Sequence, residues 1–219
     1  MFDTISASSA APPSGGAAGV VSARNLEAWA DGLSSAIEGV SDLSDAERID
    51  ALRALERLAC VVTAAQARLA CDFDVSQRAE QEAAGVLAAR RGRGVVEQVA
   101  LARRESPHRG RQHLGLAKIV QSELPHTWTA WRTGRITEWK ATIVARETAC
   151  LSLEDRLTVD EIVSGRPDTI ESIGERELIR GPSTTSRTGT GYANASWVRS
   201  SARASAGPRA SRCSGSFVD

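Results

Sequence analysis

The longest helical pattern in the chain lies in residues 44–84, which read SDAERIDALRALERLACVVTAAQARLACDFDVSQRAEQEAA. Ser44 and Glu47 form a capping box, in which the serine hydroxyl accepts the glutamate amide and the glutamate side chain reaches back to the serine amide. No proline interrupts the stretch. The pattern therefore predicts one helix from about 45 to 84, on the order of 60 Å long at the helical rise.

This long helix carries an apolar repeat along one side. Leu55, Val62 and Leu69 are seven residues apart, and Leu58 and Ala65 occupy the intermediate positions. Such spacing is typical of helices that pair along their length. A helix of this length on a small protein must pack on its own chain or pair with another one. The second possibility predicts a homo-oligomer through the long helix.

Further helices are predicted on both sides of this one from apolar spacing and from the capping residues Ser106, Thr137 and Ser152. They are expected at about 23–40, 95–104, 107–122, 126–133, 138–150 and from Ser152 to about 163, with weak helical character at 168–180. No strand pair or hairpin turn is recognisable. The predicted fold class is all-α: a multi-helix bundle with one long helix, a helix-turn-helix-like segment and disordered termini.

Composition limits the classes of function. The 27 lysines and arginines balance 27 aspartates and glutamates, so the net charge is zero. A globally basic nucleic-acid coat is excluded, but a local basic patch is not. The sequence has no apolar stretch of about 18 residues, so no membrane span is predicted. The N-terminus lacks the pattern of a secretory signal. With four dispersed cysteines, this indicates a cytoplasmic protein with reduced thiols and no membrane partner.

Three regions of different composition divide the chain. Residues 1–21 are rich in Ser, Ala, Gly and Pro and are expected to be a disordered leader. Residues 22–180 are the helical domain. Residues 181–219 are of low complexity and expected to be disordered, either as a natural tail or as an out-of-frame translation. Arginine outnumbers lysine 25 to 2, which indicates a GC-rich gene. Out-of-frame translation of GC-rich DNA would give the Arg, Ala, Gly, Pro, Ser and Thr that dominate this tail.

No motif indicates catalysis. His108 and His113 are five residues apart, about 140° around one helix, so they do not share a face. Together with His126 they are expected to be solvated or capping histidines. A phosphate-binding loop, a nucleophile elbow and a His-Glu-x-x-His metal motif are all absent from the sequence. The sequence therefore predicts no enzyme activity, no catalytic residue, no metal and no cofactor.

The strongest local signal is a basic region, residues 90–118. It contains eight cationic side chains and two acidic ones, for a net charge of +6. It coincides with a helix, a turn and a second helix, which is compatible with a DNA-binding helix-turn-helix. The predicted DNA contacts are Arg103, Arg104, His108, Arg109, Arg111, Gln112 and Lys118. The alternative is a solvated face whose arginines pair with the acidic long helix.

Within this set, arginines 103, 104, 109 and 111 are expected at phosphates, and His108, Arg109 and Gln112 are expected to point from the first turns of the second helix toward base edges. Three tryptophans follow the basic region, at positions 128, 131 and 139. They could stack on bases, but tryptophans at helical spacing more often anchor a helix corner, which is the favoured interpretation.

Two segments together resemble a known family: LACVVTAAQAR at 58–68, and the run from Val99 to Arg156 with its elements ARRESPHRG, ELPHT, GRITEWKA and ARETACLS. They closely resemble the actinobacterial domain of unknown function 222, and the mycobacterial 13E12 repeat group within it. The resemblance covers about residues 45–180. It implies a helical module of the kind that precedes an HNH nuclease domain.

The chain departs from the family pattern after Ile179, where the low-complexity tail begins and no His-Asn-His constellation follows. The nuclease role therefore cannot be carried over to any residue of this chain. The resulting hypothesis is a non-catalytic module of an HNH-endonuclease-associated family that associates with DNA through residues 90–118. The alternatives are a helical self-association protein, or a truncated product without a selected function.

Overall fold

The structure is a computed structural model that describes residues 22–180. It confirms the all-α prediction: helices and no strands are found in this part of the chain. The helices are α1 Ala23–Ile37, α2 Asp45–Ala83, α3 Val95–Ala102, α4 Pro107–Glu123, α5 Pro125–Arg132, α6 Glu138–Thr148, α7 Leu153–Ser164, α8 Pro167–Ser172 and α9 Glu175–Arg180. The predicted disordered leader and tail lie outside the described residues.

The chain divides into two compact units with the boundary between Ala51 and Leu52, inside α2. In the first unit α1 ends at Ile37, three residues earlier than predicted. A short 3-10 turn, Val40–Asp42, follows it instead of a further α-helical turn. Gly39, which has a low preference for helix, lies at this change of conformation.

The predicted capping box at the start of α2 is confirmed. The amide of Ser44 donates to Oε2 of Glu47 at 2.8 Å, and the Glu47 amide donates to the serine hydroxyl at 3.4 Å. The Ser44 hydroxyl also donates to Oε2 of Glu47 at 2.6 Å, and this bond, together with the one from the Ser44 amide, lowers the pKa of Glu47. The cap explains why a helix of 39 residues begins at this point.

The core of the second unit forms where α2 presents small side chains to α4, α5 and α6. Ala64 and Ala67 of α2 are buried in this core. Trp131 of α5 is fully buried against them, and its indole nitrogen donates to Oγ1 of Thr63 at 3.0 Å. The opposite side of α2, which carries the predicted heptad residues, is exposed. Among the residues that the structure describes, the part of α2 in the second unit is therefore buried on one side and exposed on the other.

The N-terminus of α5 is capped by a side chain from α7. Its own N-cap residue, Leu124, is apolar and makes no capping bond. The fully buried Asp160 accepts instead the amides of His126 and Thr127, at 2.7 and 3.0 Å. It also accepts the Thr127 hydroxyl at 2.6 Å. A single carboxylate thus satisfies three donors and joins α5 to α7.

A second polar link joins α2 to α4. Nζ of Lys118 lies 2.6 Å from Oδ2 of Asp74, and Nε of Arg78 lies 2.9 Å from the same oxygen. Burial raises the pKa of the Asp74 carboxyl, but the hydrogen bonds and charges of Arg78 and Lys118 outweigh it and hold that pKa below its ordinary value. The carboxylate therefore stabilises the fold as long as it is ionised.

We predict that Asp160→Ala lowers the free energy of unfolding by about 3 kcal/mol, because it leaves buried donors without an acceptor. The matched control is Asp155→Ala on the same helix, where an exposed carboxylate accepts only the Ser152 hydroxyl. Its cost is expected to stay below about 1 kcal/mol. Urea unfolding measures both, and equal costs for the two variants would contradict the capping role.

A second prediction concerns acid. A carboxyl whose pKa is lowered on folding stabilises above its unfolded pKa of about 3.9, and this stabilisation is lost as the pH falls through the folded pKa. Asp74→Asn is therefore expected to cost roughly 1–3 kcal/mol at pH 7 and much less near pH 2.

The control is Asp72→Asn, which removes an ion pair to Arg68 whose two side chains are more than half exposed. Its effect is expected to be within about 0.5 kcal/mol at neutral pH. Urea unfolding of the three proteins across this pH range makes the comparison. A cost of Asp74→Asn that does not change with pH would refute the prediction.

Candidate nucleic-acid interface

The basic region 90–118 contains the predicted helix, turn and second helix. α3 ends at Ala102 and α4 begins at Pro107. The predicted cap of α4 is confirmed, because the Ser106 hydroxyl accepts the amide of Arg109 at 3.3 Å. The local sequence thus fixes the start of the second helix.

The two helices of this segment pack closely against each other. At their crossing, a Cβ on Gly110 would lie only 2.6 Å from Cβ of Ala100. Val95 and Val99 of α3 and Leu114 of α4 form a small buried cluster beside the crossing. The orientation of α4 relative to α3 is therefore fixed by packing rather than by the turn alone.

The turn begins with a left-handed residue, Arg104, at φ 58°. The amide of Glu105 donates to the carbonyl of Ala100 at 2.8 Å, and the Arg104 amide donates to the carbonyl of Leu101 at 3.0 Å. These two bonds make a Schellman motif, in which the left-handed position is usually glycine. Arg104 is the one residue other than glycine with positive φ between 22 and 180.

Two other helices of the protein end in the same motif. The left-handed residue after α2 is Gly85 and the one after α5 is Gly134, both at φ 77°. The corresponding pairs of carbonyl bonds are present in each, at 2.9 Å throughout. Within residues 22–180, glycine thus occupies the left-handed position at two such helix ends and arginine occupies it at a third.

Neighbours of Arg104 in the turn face inward and form a charged cluster. His113 of α4 lies between two carboxylates, with Nε2 at 3.2 Å from Oε2 of Glu105 and Nδ1 at 2.5 Å from Oε1 of Glu138. Arg103 completes the cluster: Nε lies 3.5 Å from Glu105, and a terminal nitrogen donates to Gln66 of α2 at 2.8 Å. The cluster joins the turn to α2, α4 and α6.

This cluster corrects two expectations from the sequence. The side chain of Arg103 is only 14% exposed and is engaged with Glu105, Glu138 and Gln66, so it is not placed to meet a phosphate. His113 is neither solvated nor capping, since it is mostly buried between carboxylates. Lys118, another predicted DNA contact, is bound to Asp74.

The remaining predicted contacts are placed on the outside. Arg104, Arg109 and Arg111 are exposed, and none of them has an ion pair or side-chain hydrogen bond among residues 22–180. His108 is also exposed, and its Nε2 lies 3.0 Å from the amide nitrogen of Gln112. The structure therefore leaves four of the seven predicted residues exposed on the turn and the first turns of α4, and Gln112 is half-buried beside His108.

The charge of the basic region is partly neutralised internally. Arg91 pairs with Glu82 at 2.6 Å, and Arg103 and Lys118 have the acidic partners described above. Arg90 and Arg93 are exposed like the three outer arginines. Since Glu105 faces inward, the outer surface of the turn itself carries only positive charge.

Two of the three tryptophans that follow the basic region pack in the core. Trp128 and Trp131 meet edge to face, with ring centroids 5.9 Å apart. Trp131 is fully buried and Trp128 packs against the core, which confirms the predicted helix corner for these two. Trp139 is about half exposed.

Sequence reasoning missed the contacts that join distant segments. The pair His113–Glu138 spans 25 residues and Arg103–Gln66 spans 37, and no local pattern marks either. Over residues 22–180, no group of three His, Cys, Asp or Glu side chains is arranged to hold a metal ion. Within the same range no helix is long and apolar enough to cross a membrane.

Known proteins offer no independent assignment for this surface. No protein-family model, curated protein or solved structure matches the chain.

Proposed function

We propose that this chain is a non-catalytic, cytoplasmic helical module that binds duplex DNA through the turn between α3 and α4. The resemblance to the domain of unknown function 222 supports the proposal, because that family looks like helical modules that accompany an HNH nuclease. The observation that carries it is the conformation of Arg104.

A left-handed backbone costs a residue with a side chain roughly 1–2 kcal/mol relative to glycine. Gly85 and Gly134 avoid this cost at equivalent helix ends. At Arg104 this cost is not offset inside the fold, because its exposed side chain makes no ion pair with any of residues 22–180. A strained residue without an internal role is a reason to look for a function outside the fold.

The surroundings of Arg104 suit a phosphate backbone. Arg109 and Arg111 are exposed on the adjacent first turns of α4. The N-terminus of α4 lies between them and the turn, and helix N-termini attract phosphate through free amides and the helix dipole. The nearest acidic side chain in the turn, Glu105, is paired with His113 and does not oppose binding.

Binding is expected to be modest. The chain has no net charge, so no long-range attraction adds to the local patch. Dissociation constants at roughly micromolar or weaker, with strong dependence on salt, are typical of such phosphate contacts.

The test is Arg104→Gly in the full-length chain. Relief of the left-handed strain is expected to raise the free energy of unfolding by about 0.5–1 kcal/mol, after the entropy cost of glycine. Loss of one phosphate contact should reduce the slope of log K against log salt by about one unit. Fluorescence anisotropy with a labelled duplex and urea unfolding measure the two effects.

The matched control is Arg176→Gln, which removes an exposed arginine from α9. Its salt slope should equal that of the unmodified protein. A lack of duplex binding at low salt, or an unchanged slope for Arg104→Gly, would refute the proposed function.

A second candidate function is self-association through α2. The heptad residues Leu55, Leu58, Val62 and Leu69 are each more than two-fifths exposed. Their spacing is that of a two-stranded coiled coil, so the surface that fits this stripe best is an identical stripe on a second copy. Because the chain has no net charge, two copies do not repel each other at long range.

This candidate is tested by two identical substitutions on one helix. Val62 lies in the stripe, whereas Val75 is 67% exposed and about 140° away around α2. If the stripe pairs two copies, light scattering should give twice the monomer mass of 23.2 kDa for the unmodified chain and for Val75→Glu. Val62→Glu should give the monomer mass. A monomer for the unmodified chain, or equal masses for both variants, would contradict self-association.

A further inference from the structure

Gly115 lies in the middle of α4 and is half-buried. A Cβ at this position would meet no atom within 4 Å, so no packing contact requires glycine here. Glycine is less favourable than alanine in a helix interior, because it loses more backbone entropy on folding. Packing within residues 22–180 requires glycine neither here nor at Gly32 of α1, and what distinguishes Gly115 is the exposed Arg111 one turn before it.

The other glycine of α4, Gly110, is required by packing against α3. Gly110 faces α3, where a Cβ would lie 2.6 Å from Cβ of Ala100 and 3.0 Å from the carbonyl oxygen of Val96. Gly115 is about 140° away around the helix, on the side that faces outward. Close approach of α3 explains the first glycine, and close approach of an external partner would explain the second.

Four side chains frame the position of Gly115. Arg111 and Gln112 precede it by one turn, and Lys118 and Ile119 follow it by one turn. Lys118 is held by Asp74 and Ile119 packs against the core, so the later side of the frame is fixed. Arg111 on the earlier side is exposed. The surface beside Gly115 is therefore most exposed on the side of Arg111.

We propose that this outer face of α4 enters the major groove of DNA, with Gly115 at the point of closest approach and Arg111 reading a guanine. The proposal rests on the proposed DNA-binding function and names the face and the residues that give it sequence preference. The major groove is wide enough for a helix, and arginine pairs with the O6 and N7 atoms of guanine through two hydrogen bonds.

The geometry favours Arg111 over Arg109 as the base-reading arginine. Arg111 lies about 40° from Gly115 around the helix, whereas Arg109 lies about 120° away and borders the turn. Gln112 shares the face with Arg111, and its contact with His108 fixes its orientation. This assignment leaves Arg109 with the phosphate role that the sequence also predicted for it, and it moves Arg111 from the predicted phosphate contact to a base.

The first test uses Gly115→Ala in the full-length chain and a duplex enriched from a random-sequence pool by the unmodified protein. The added methyl group should weaken binding to the enriched duplex by about tenfold, since it holds the helix away from the bases. The thermal midpoint should rise by about 2–4 °C, because alanine favours the helix. If the variant is more stable but binds more weakly, the loss of affinity comes from the lost DNA contact and not from unfolding.

The matched control is Gly32→Ala. Gly32 of α1 is also a helical glycine, and a Cβ there would likewise meet no atom within 4 Å, so it reports the effect of helix preference alone. Its affinity for the enriched duplex should be unchanged. Equal affinities for Gly115→Ala and Gly32→Ala would overturn the proposal.

A second test compares Arg111→Lys with Arg109→Lys, which both retain the charge. The first should lose the preference for guanine at one position of the enriched duplex, and the second should keep it. If no sequence is enriched while binding still depends on Arg104, this inference fails and the proposed function stands. If no duplex binds at all, both fail.

Discussion

The inward cluster of Arg103, Glu105, His113 and Glu138 is the interaction on which the proposed surface depends. It fixes the turn between α3 and α4 against two other helices. It also removes the acidic side chain of the turn from the outer surface. Because the flanking residues 103 and 105 face inward, Arg104 between them is left on the outside with an exposed side chain.

Around the turn, the charged side chains that have partners therefore face inward, and the arginines without partners among residues 22–180 face outward. Pairs such as Lys118 with Asp74 and Arg91 with Glu82 hold helices and loops together. Of the exposed arginines in residues 90–118, three lie on the turn and the first turns of α4, and Arg90 and Arg93 precede α3. Partly buried ion pairs add little net stability, but removal of one partner is costly, so each internal pair resists rearrangement. A region with a net charge of +6 thus presents a smaller, fixed set of outward cations.

Helix positions could be predicted from the sequence because their signals are local. Ser44, Ser106, Thr137 and Ser152 each cap the helix that the sequence assigned to them. The early end of α1 was not predicted, since its apolar spacing continues to Val40 while the backbone changes at Gly39. Local patterns locate helices well and their last turns less well.

The site could be predicted only in part. The exposed residues of the turn and of α4 were found because they cluster in sequence. The inward placement of Arg103 and Lys118 was not, since their partners lie on helices up to 44 residues away. The capping of α5 by Asp160, across more than 30 residues, is another contact that only the tertiary structure reveals.

Amide chemical shifts of the full-length chain, titrated with a duplex of about 20 base pairs near 50 mM salt, test the central claim most directly. The account predicts that the largest changes fall on residues 104–115 and fade as salt is raised. Changes confined to α7–α9, or no changes at any residue, would contradict it.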